Sequence, residues 1–265
     1  METNLGRIEL VRDIDPNGSS YPKHFIEFND KLYFAASQNV TTELWATDGT
    51  DSGTNLVRDI NFSSIYLAEF DNRLYFGADG DENGTELWVS DGTSNGTRLI
   101  RNINPATEGD SSYPYSSNPS GFTEFNNRLY FIANDGENGR ELWVSDGTSE
   151  GTQLLKDINE PDNENSEENL EIPPGVVPDS SLPGFLIEFN NKLYFSATND
   201  ENGRELWVSD GTSEGTQLLK DINPGTESST PSNFIILNDR LYFSADDGEM
   251  VKNYGLVMAR MKEQS

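Results

Sequence analysis

The chain has 265 residues, 46 acidic against 18 basic for a formal net charge of −28, and contains no cysteine. A surface this negative repels nucleic-acid phosphates and anionic lipid headgroups, and the missing thiols exclude disulfides, thiolate metal sites and cysteine nucleophiles. No run approaches the roughly 18 apolar residues of a membrane span, and the opening METNLGRIELVRDI has neither the basic start nor the apolar core of a signal peptide.

The first predicted element is a lone strand over 6–14, GRIELVRDI. Three signals then recur in fixed order. An apolar stretch ends in Phe-Asn/Asp at FIEFND (25–30), LAEFDN (67–72), FTEFNN (122–127) and LIEFNN (186–191), with the variant FIILND at 234–239. Leu-Tyr-Phe follows, starting at Leu32, Leu74, Leu129, Leu193 and Leu241. The third signal is ELW(A/V)(T/S)DGT, starting at Glu43, Glu86, Glu141 and Glu205, whose tails end at Ile60, Ile103, Ile158 and Ile222. Each unit reads as four strands, A to D. Asn/Asp pairs join A to B and Asp-Gly-Thr opens the C–D hairpin, residues that tolerate the positive φ such turns demand.

The tryptophans lie 43, 55 and 64 residues apart, and the difference falls in the D–A connections, where 104–120 and 159–182 are insertions. The last unit ends in a degenerate strand C at Tyr254–Met258 with no strand D after it, while the chain opens on a strand D with nothing before it. The expected fold is therefore all-β: one domain over 1–265, a five-bladed β-propeller of four-stranded antiparallel blades closed by the N-terminal strand. Its blades fall at approximately 24–60, 65–103, 121–158, 183–222, and 233–259 plus 6–14.

The string ELWVSDGTxxGTxLLKDIN resembles the ELWxxDGT, or hyalin-type, repeat of large bacterial surface or secreted proteins, and more distantly the TolB-type propeller repeat. The likeness covers nearly the whole chain. The fifth unit departs from it, lacking the Glu, the Trp and the Asp-Gly-Thr turn. The resemblance implies an interaction domain and leaves the ligand open.

Most motif residues read as scaffold. Trp45, Trp88, Trp143 and Trp207 take equivalent positions on blades covered on both faces, with a sugar-stacking platform as the alternative. Asp48, Asp91, Asp146 and Asp210 read as caps of their own turns. Residues 137–159 and 201–223 are one identical 23-residue string, which a single active site cannot use twice. His24, the one histidine, has no partner motif, and no HExxH or phosphate loop occurs.

Two cation sites are candidates. Glu27, Glu69, Glu124 and Glu188 could converge on the central channel, a series broken by Ile236, with solvated or base-paired glutamates as the alternative. Asp79-x-Asp81-x-Asn83-Gly84 copies the opening of a calcium loop, but Ser90 stands where a bidentate Glu is needed; Asp13-x-Asp15-x-Asn17-Gly18 has the same spacing. Otherwise these are polar turns. Ligand binding falls to the face carrying the D–A and B–C loops, where Tyr21, Tyr66, Tyr113 and Tyr115 stand among Ser, Pro and Gly. The expected protein is a noncatalytic, monomeric, extracellular or cell-surface module that recognises a glycan or a protein, with Ca²⁺ optional. The alternatives are a glycoside-processing enzyme with paired carboxylates and a purely structural module of a larger surface protein.

Overall fold

The computed structural model describes residues 8–39, 41–80, 83–105, 115–160 and 180–249, except the side chains of 62–65. Among these residues there is no helix. The first sheet is β1 (Lys23–Phe28), β2 (Lys31–Gln38), β3 (Thr41–Thr47) and β4 (Asn55–Arg58); the second is β5 (Asn61–Phe70), β6 (Arg73–Asp79), β7 (Thr85–Ser90) and β8 (Arg98–Arg101). The third is β9 (Ser120–Phe125), β10 (Arg128–Asn134), β11 (Arg140–Ser145) and β12 (Gln153–Lys156); the fourth is β13 (Gly184–Phe189), β14 (Lys192–Asn199), β15 (Gly203–Ser209) and β16 (Gln217–Lys220). The fifth shows β17 (Ser232–Ile236) and β18 (Leu241–Ser244). Every sheet is an antiparallel meander in chain order.

The A–B turns fold as the Asn/Asp pairs predict. Both central residues have positive φ in all five turns, from 49° and 59° at Asn29-Asp30 to 50° and 53° at Asn238-Asp239. That is the turn whose twist matches the flanking strands.

Strand alternation explains the two aromatic motifs. In the second sheet Leu74, Phe76 and Trp88 point back into the core shared with the first. Tyr75, Leu87 and Val89 point forward into the core shared with the third. The third and fourth sheets repeat the division, with Leu193, Phe195 and Trp207 meeting Tyr130, Leu142 and Val144. Each sheet is thus apolar on both faces, and each buried Leu or Phe contributes roughly 1.5–3 kcal/mol. The first strands run side by side from β1 through β5, β9 and β13 to β17, as the inner strands of propeller blades do.

Two expectations change. Residues 8–14, expected as a strand, carry no strand pairing, although Arg12 Nη1 donates to Asp51 O (3.1 Å). Their expected neighbour, Tyr254–Met258 as strand C of the last sheet, lies outside the described residues. Tyr66, expected in a connection, lies within β5.

Candidate binding face

The two ends of the sheets are built differently. At one end lie the A–B and C–D turns. In each C–D turn the Asp Oδ1 accepts from the Thr backbone N–H (2.9 Å) and Thr Oγ1 (2.7 Å) two residues on, as at Asp146 and Thr148. Thr148 Oγ1 in turn accepts from Gly151 N (3.0 Å). A Cβ on Gly151 would stand 1.9 Å from Asp146 Oδ1, so glycine is required there. These Thr bonds, side chain first, hold the carboxyls of Asp48, Asp91, Asp146 and Asp210 below the usual range. The aspartates cap their own turns.

At the other end the D–A connections meet the B–C loops, and the glutamate of ELW has a role that its motif does not advertise. Glu86, Glu141 and Glu205 are fully buried. Glu141 accepts from Ile158 N (3.1 Å), Ser181 N (2.7 Å) and Ser181 Oγ. Glu86 does the same with Ile103 N (2.7 Å), Ser117 N (3.1 Å) and Ser117 Oγ (2.7 Å), and Glu205 with Ile222 and Ser229. Burial pushes the Glu141 carboxyl up to about 7 against those hydrogen bonds, and raises Glu86 likewise.

The serines belong to a Ser-Ser-x-Pro motif that the sequence reading missed, at 19–22, 116–119, 180–183 and 228–231. It joins consecutive sheets. Ser181 bonds Glu141 of the third sheet, while its carbonyl accepts from Thr198 N of the fourth (2.8 Å). Ser117 and Ser229 are likewise bridged, to Asn134 N and Asp246 N. Its signal was present, but variable connections separate it from the ELW block, and a decoy Ser-Ser-Tyr-Pro stands at 111–114.

The motif forces left-handed backbone. Its third residue has positive φ in every copy: Tyr21 43°, Asn118 46°, Leu182 47°, Thr230 48°. The Leu182 conformation is held from both sides, by its N–H on Arg140 O (3.1 Å) and its carbonyl under Arg204 Nη1 (2.7 Å). Just beyond, the first strands of the first, third, fourth and fifth sheets carry a register irregularity with another left-handed residue: His24 59°, Gly121 66°, Phe185 59°, Asn233 56°. Tyr21, Leu182 and Phe185 are 73%, 49% and 57% exposed.

Of the nominated tyrosines, Tyr21, Tyr66 and Tyr115 are exposed on or near this end, and Tyr113 lies outside the described residues. Tyr115 O packs against Gly84, 2.3 Å from where its Cβ would be. His24 is half-buried, and burial and then Lys23 lower its pKa.

The cation candidates are not brought together. Glu27, Glu69, Glu124 and Glu188 are exposed at the penultimate places of their strands. Among the described residues no three His, Asp or Glu side chains form a group that could hold a metal. Asp79 ends β6, Asn83 Oδ1 accepts from Asn102 Nδ2 (2.8 Å), and Asp81 lies outside the described residues. Asp15 Oδ1 accepts from Asn17 N (3.2 Å), closing its turn on itself.

A polar cavity of ≈ 330 Å³ lies where Lys156–Glu160 leave the third sheet beside Asn199–Glu201 of the fourth. Asn159 spans it, accepting from Asp200 N (2.9 Å) and donating to Asp200 Oδ1 (3.3 Å). Burial, then Glu160 and Asp135, raise the Asp157 carboxyl there.

No protein-family model matches the chain, and no curated protein matches it. Solved structures resemble it at low identity. The puromycin hydrolase S511A mutant complexed with PGG aligns over 86% of this chain and 33% of its own at 11% identity and TM-score 0.47. The Nidogen/Laminin complex aligns over 86% and 73% at 12% identity and TM-score 0.42. The Pyrococcus horikoshii acylaminoacyl peptidase aligns over 83% and 32% at 12% identity and TM-score 0.46. The chain therefore spans about a third of the length of the hydrolase and the peptidase.

Proposed function

We propose that the protein is a noncatalytic recognition module on a closed five-bladed propeller, and that its partner docks where the D–A connections meet the B–C loops. One observation carries this reading. The backbone demands left-handed residues around this end; the third sheet meets the demand with Asn118 and Gly121 and the fifth with Thr230 and Asn233, while the first and fourth present Tyr21, His24, Leu182 and Phe185. A non-glycine residue there costs about 1–2 kcal/mol, which glycine avoids. Tyr21, Leu182 and Phe185 are largely exposed, so core packing does not account for keeping them; among the described residues only Phe185 of the three has a ring neighbour, Phe234 at 6.4 Å. Strained residues with solvent-facing side chains cluster where those side chains are used.

The exposed set is aliphatic as well as aromatic on a chain of net charge −28, which suits a protein segment carrying apolar anchors among positive charges. A glycan is the second reading, favoured by Tyr21, Tyr66 and Tyr115 beside serines and asparagines. The noncatalytic reading is supported by the carboxylates themselves. Glu86 and Glu141, with raised pKa values that would suit proton transfer, are 0% exposed and bonded to the scaffold. The acidic composition and the likeness to surface-protein repeats favour an extracellular or cell-surface setting.

Closure is supported by the first sheet. Ile14 packs on Phe34, Ala36 and Trp45, as Ile103 packs beside Phe131, Ala133 and Trp143. Ser37 N donates to Ser20 O (2.7 Å) as Thr198 N does to Ser181 O.

A displayed library of basic peptides with aromatic and aliphatic positions, beside an array of neutral glycans, tests the reading. Enrichment of basic, apolar peptides that is lost in the Tyr21→Ser, Phe185→Gly double variant is expected. Glycan binding alone, or peptide binding that the variant leaves unchanged, would overturn it.

A further inference from the structure

We infer that the guanidinium of Arg204 is a docking point for a carboxylate that a peptide partner carries beside an apolar side chain, with Leu182 and Phe185 as the apolar flank. The inference rests on the reading of this end as the recognition face, and adds one anionic point to a partner otherwise apolar and basic.

Two arginines stand at equivalent places just before the buried glutamate of strand C, and both are half-buried. Arg204 Nη1 donates to Leu182 O (2.7 Å) and its Nη2 to Ser196 Oγ (2.7 Å). Arg140 bonds Asn118 O (3.1 Å) and Ser120 Oγ (2.8 Å) in the same way. All four partners are neutral. Burial lowers the pKa of both guanidinium groups, and no described acid offsets it, on a chain with 46 acidic residues. A guanidinium has more N–H donors than these two bonds use, set in a planar fork that matches a carboxylate.

The fold does not require the arginine. In the first sheet Thr42 stands in its place and meets Ser37 Oγ (3.0 Å), yet Tyr21 keeps φ 43° against 47° at Leu182. What the arginine adds at Leu182 is a charge under an apolar segment. Gly184 gives it room, since a Cβ there would stand 3.0 Å from Arg204 Nη2. Leu182 and Phe185 leave the chain on either side of that glycine, 49% and 57% exposed. Arg140 is the internal control. It lies in the same 23-residue string, but the segment above it reads Asn118-Pro119-Ser120-Gly121, with no large apolar side chain.

A carboxylate on the fork gains charge-assisted bonds in a partly desolvated place. A polyanion is repelled by the net charge of −28. The two together favour a single carboxylate on an otherwise cationic segment.

The test uses the full chain and three peptides: acetyl-Lys-Lys-Leu with a free carboxyl, its C-terminal amide, and acetyl-Lys-Glu-Leu amide. NMR follows the Nε–Hε signals of Arg204 and Arg140. The amide of the first peptide is the more cationic, so the field of the chain favours it. Tighter binding of the acid, by roughly tenfold and seen at Arg204 more than at Arg140, is the expected result, the worth of about one charge-assisted hydrogen bond. Arg204→Gln should abolish that preference, and Arg204→Lys, which keeps the charge and loses the fork, should restore only part of it. An amide that binds as tightly as the acid, or a preference that survives Arg204→Gln, would overturn the inference. Full preference in Arg204→Lys would overturn the fork. The third peptide tells the source: binding like the acid places the carboxylate on a partner's side chain, and binding like the amide places it at a C-terminus. A glucuronate disaccharide that outcompetes the acid peptide at Arg204 would overturn the peptide in favour of an acidic glycan. Basic peptides that depend on Tyr21 and Phe185 but ignore amidation would leave the recognition face standing and sink the carboxylate alone.

Discussion

The two ends of the sheets obey opposite rules. At the C–D turn end, Asp-Gly-Thr and its hydrogen bonds recur from sheet to sheet at 2.7–3.0 Å. At the other end the backbone is equally repetitive, with φ between 43° and 48° at four equivalent residues, yet these are Tyr, Asn, Leu and Thr. Where geometry and side chain repeat together, folding chose both. Where the geometry repeats and the side chain varies, folding chose only the backbone, and the side chains are free for recognition.

The hub between the ends should give the largest effect. Glu141→Ala strands Ile158 N–H, Ser181 N–H and Ser181 Oγ inside the protein. At about 1–3 kcal/mol for each buried orphan, the loss is expected to reach at least roughly 3 kcal/mol in chemical denaturation. A loss within about 0.5 kcal/mol, typical of a surface change, would remove Glu141 from the scaffold.

The same residue predicts a pH dependence. Its folded pKa, about 7, lies above the ordinary 4.5, so the folded state holds the proton more tightly. Its contribution is therefore fully present below pH 4.5 and lost as pH rises through 7. The turn aspartates have the opposite sign: their pKa values are lowered, so their contribution is present above the ordinary 3.8 and lost in more acid solution. Glu141→Gln should flatten stability between pH 4.5 and 7 relative to the native chain and leave the acid limb unchanged. Parallel curves for the two proteins would contradict the assignment.

At the turn end, Gly151→Ala drives a methyl into the Asp146 carboxylate and should cost about 1–3 kcal/mol as an overpacked contact. Gly225→Ala is its control. Gly225 has φ +103° and nothing within 4 Å, so only the backbone penalty, about 1 kcal/mol, applies. A loss at Gly151 within about 0.5 kcal/mol would mean that the Asp-Gly-Thr turn yields to the methyl at no cost.

Strand order and the division of each sheet into two apolar faces were legible, because LYF and ELW alternate with period two and the Asn/Asp pairs mark turns. Asp48 and its equivalents were legible as caps, since their partners lie within three residues. The Glu–Ser hub was not. Glu141 and Ser181 are 40 residues apart, and nothing in the composition of either segment ties them together. The Ser-Ser-x-Pro motif shows in four copies once aligned, yet only the fold reveals that it fixes a left-handed residue. Tyr66 was expected on the loop face among Ser, Pro and Gly, but β5 runs from Asn61 to Phe70 across it, with a register irregularity between Phe62 and Leu67.

The smallest expected effect bears most directly on recognition. His24 sits at φ 59° in the place that Gly121 fills at 66° two sheets on. Replacing it with glycine removes a left-handed penalty of about 1–2 kcal/mol and adds chain entropy to the unfolded state, about 0.5–1 kcal/mol. Among the described residues the half-buried ring has no hydrogen-bond partner, so little is forfeited. His24→Gly should therefore be neutral or stabilising by up to about 1 kcal/mol, while weakening whatever the face binds. Destabilisation beyond about 1 kcal/mol would mean that the imidazole serves the fold, and the rule separating the two ends would fail at the residue where it is most exposed to test.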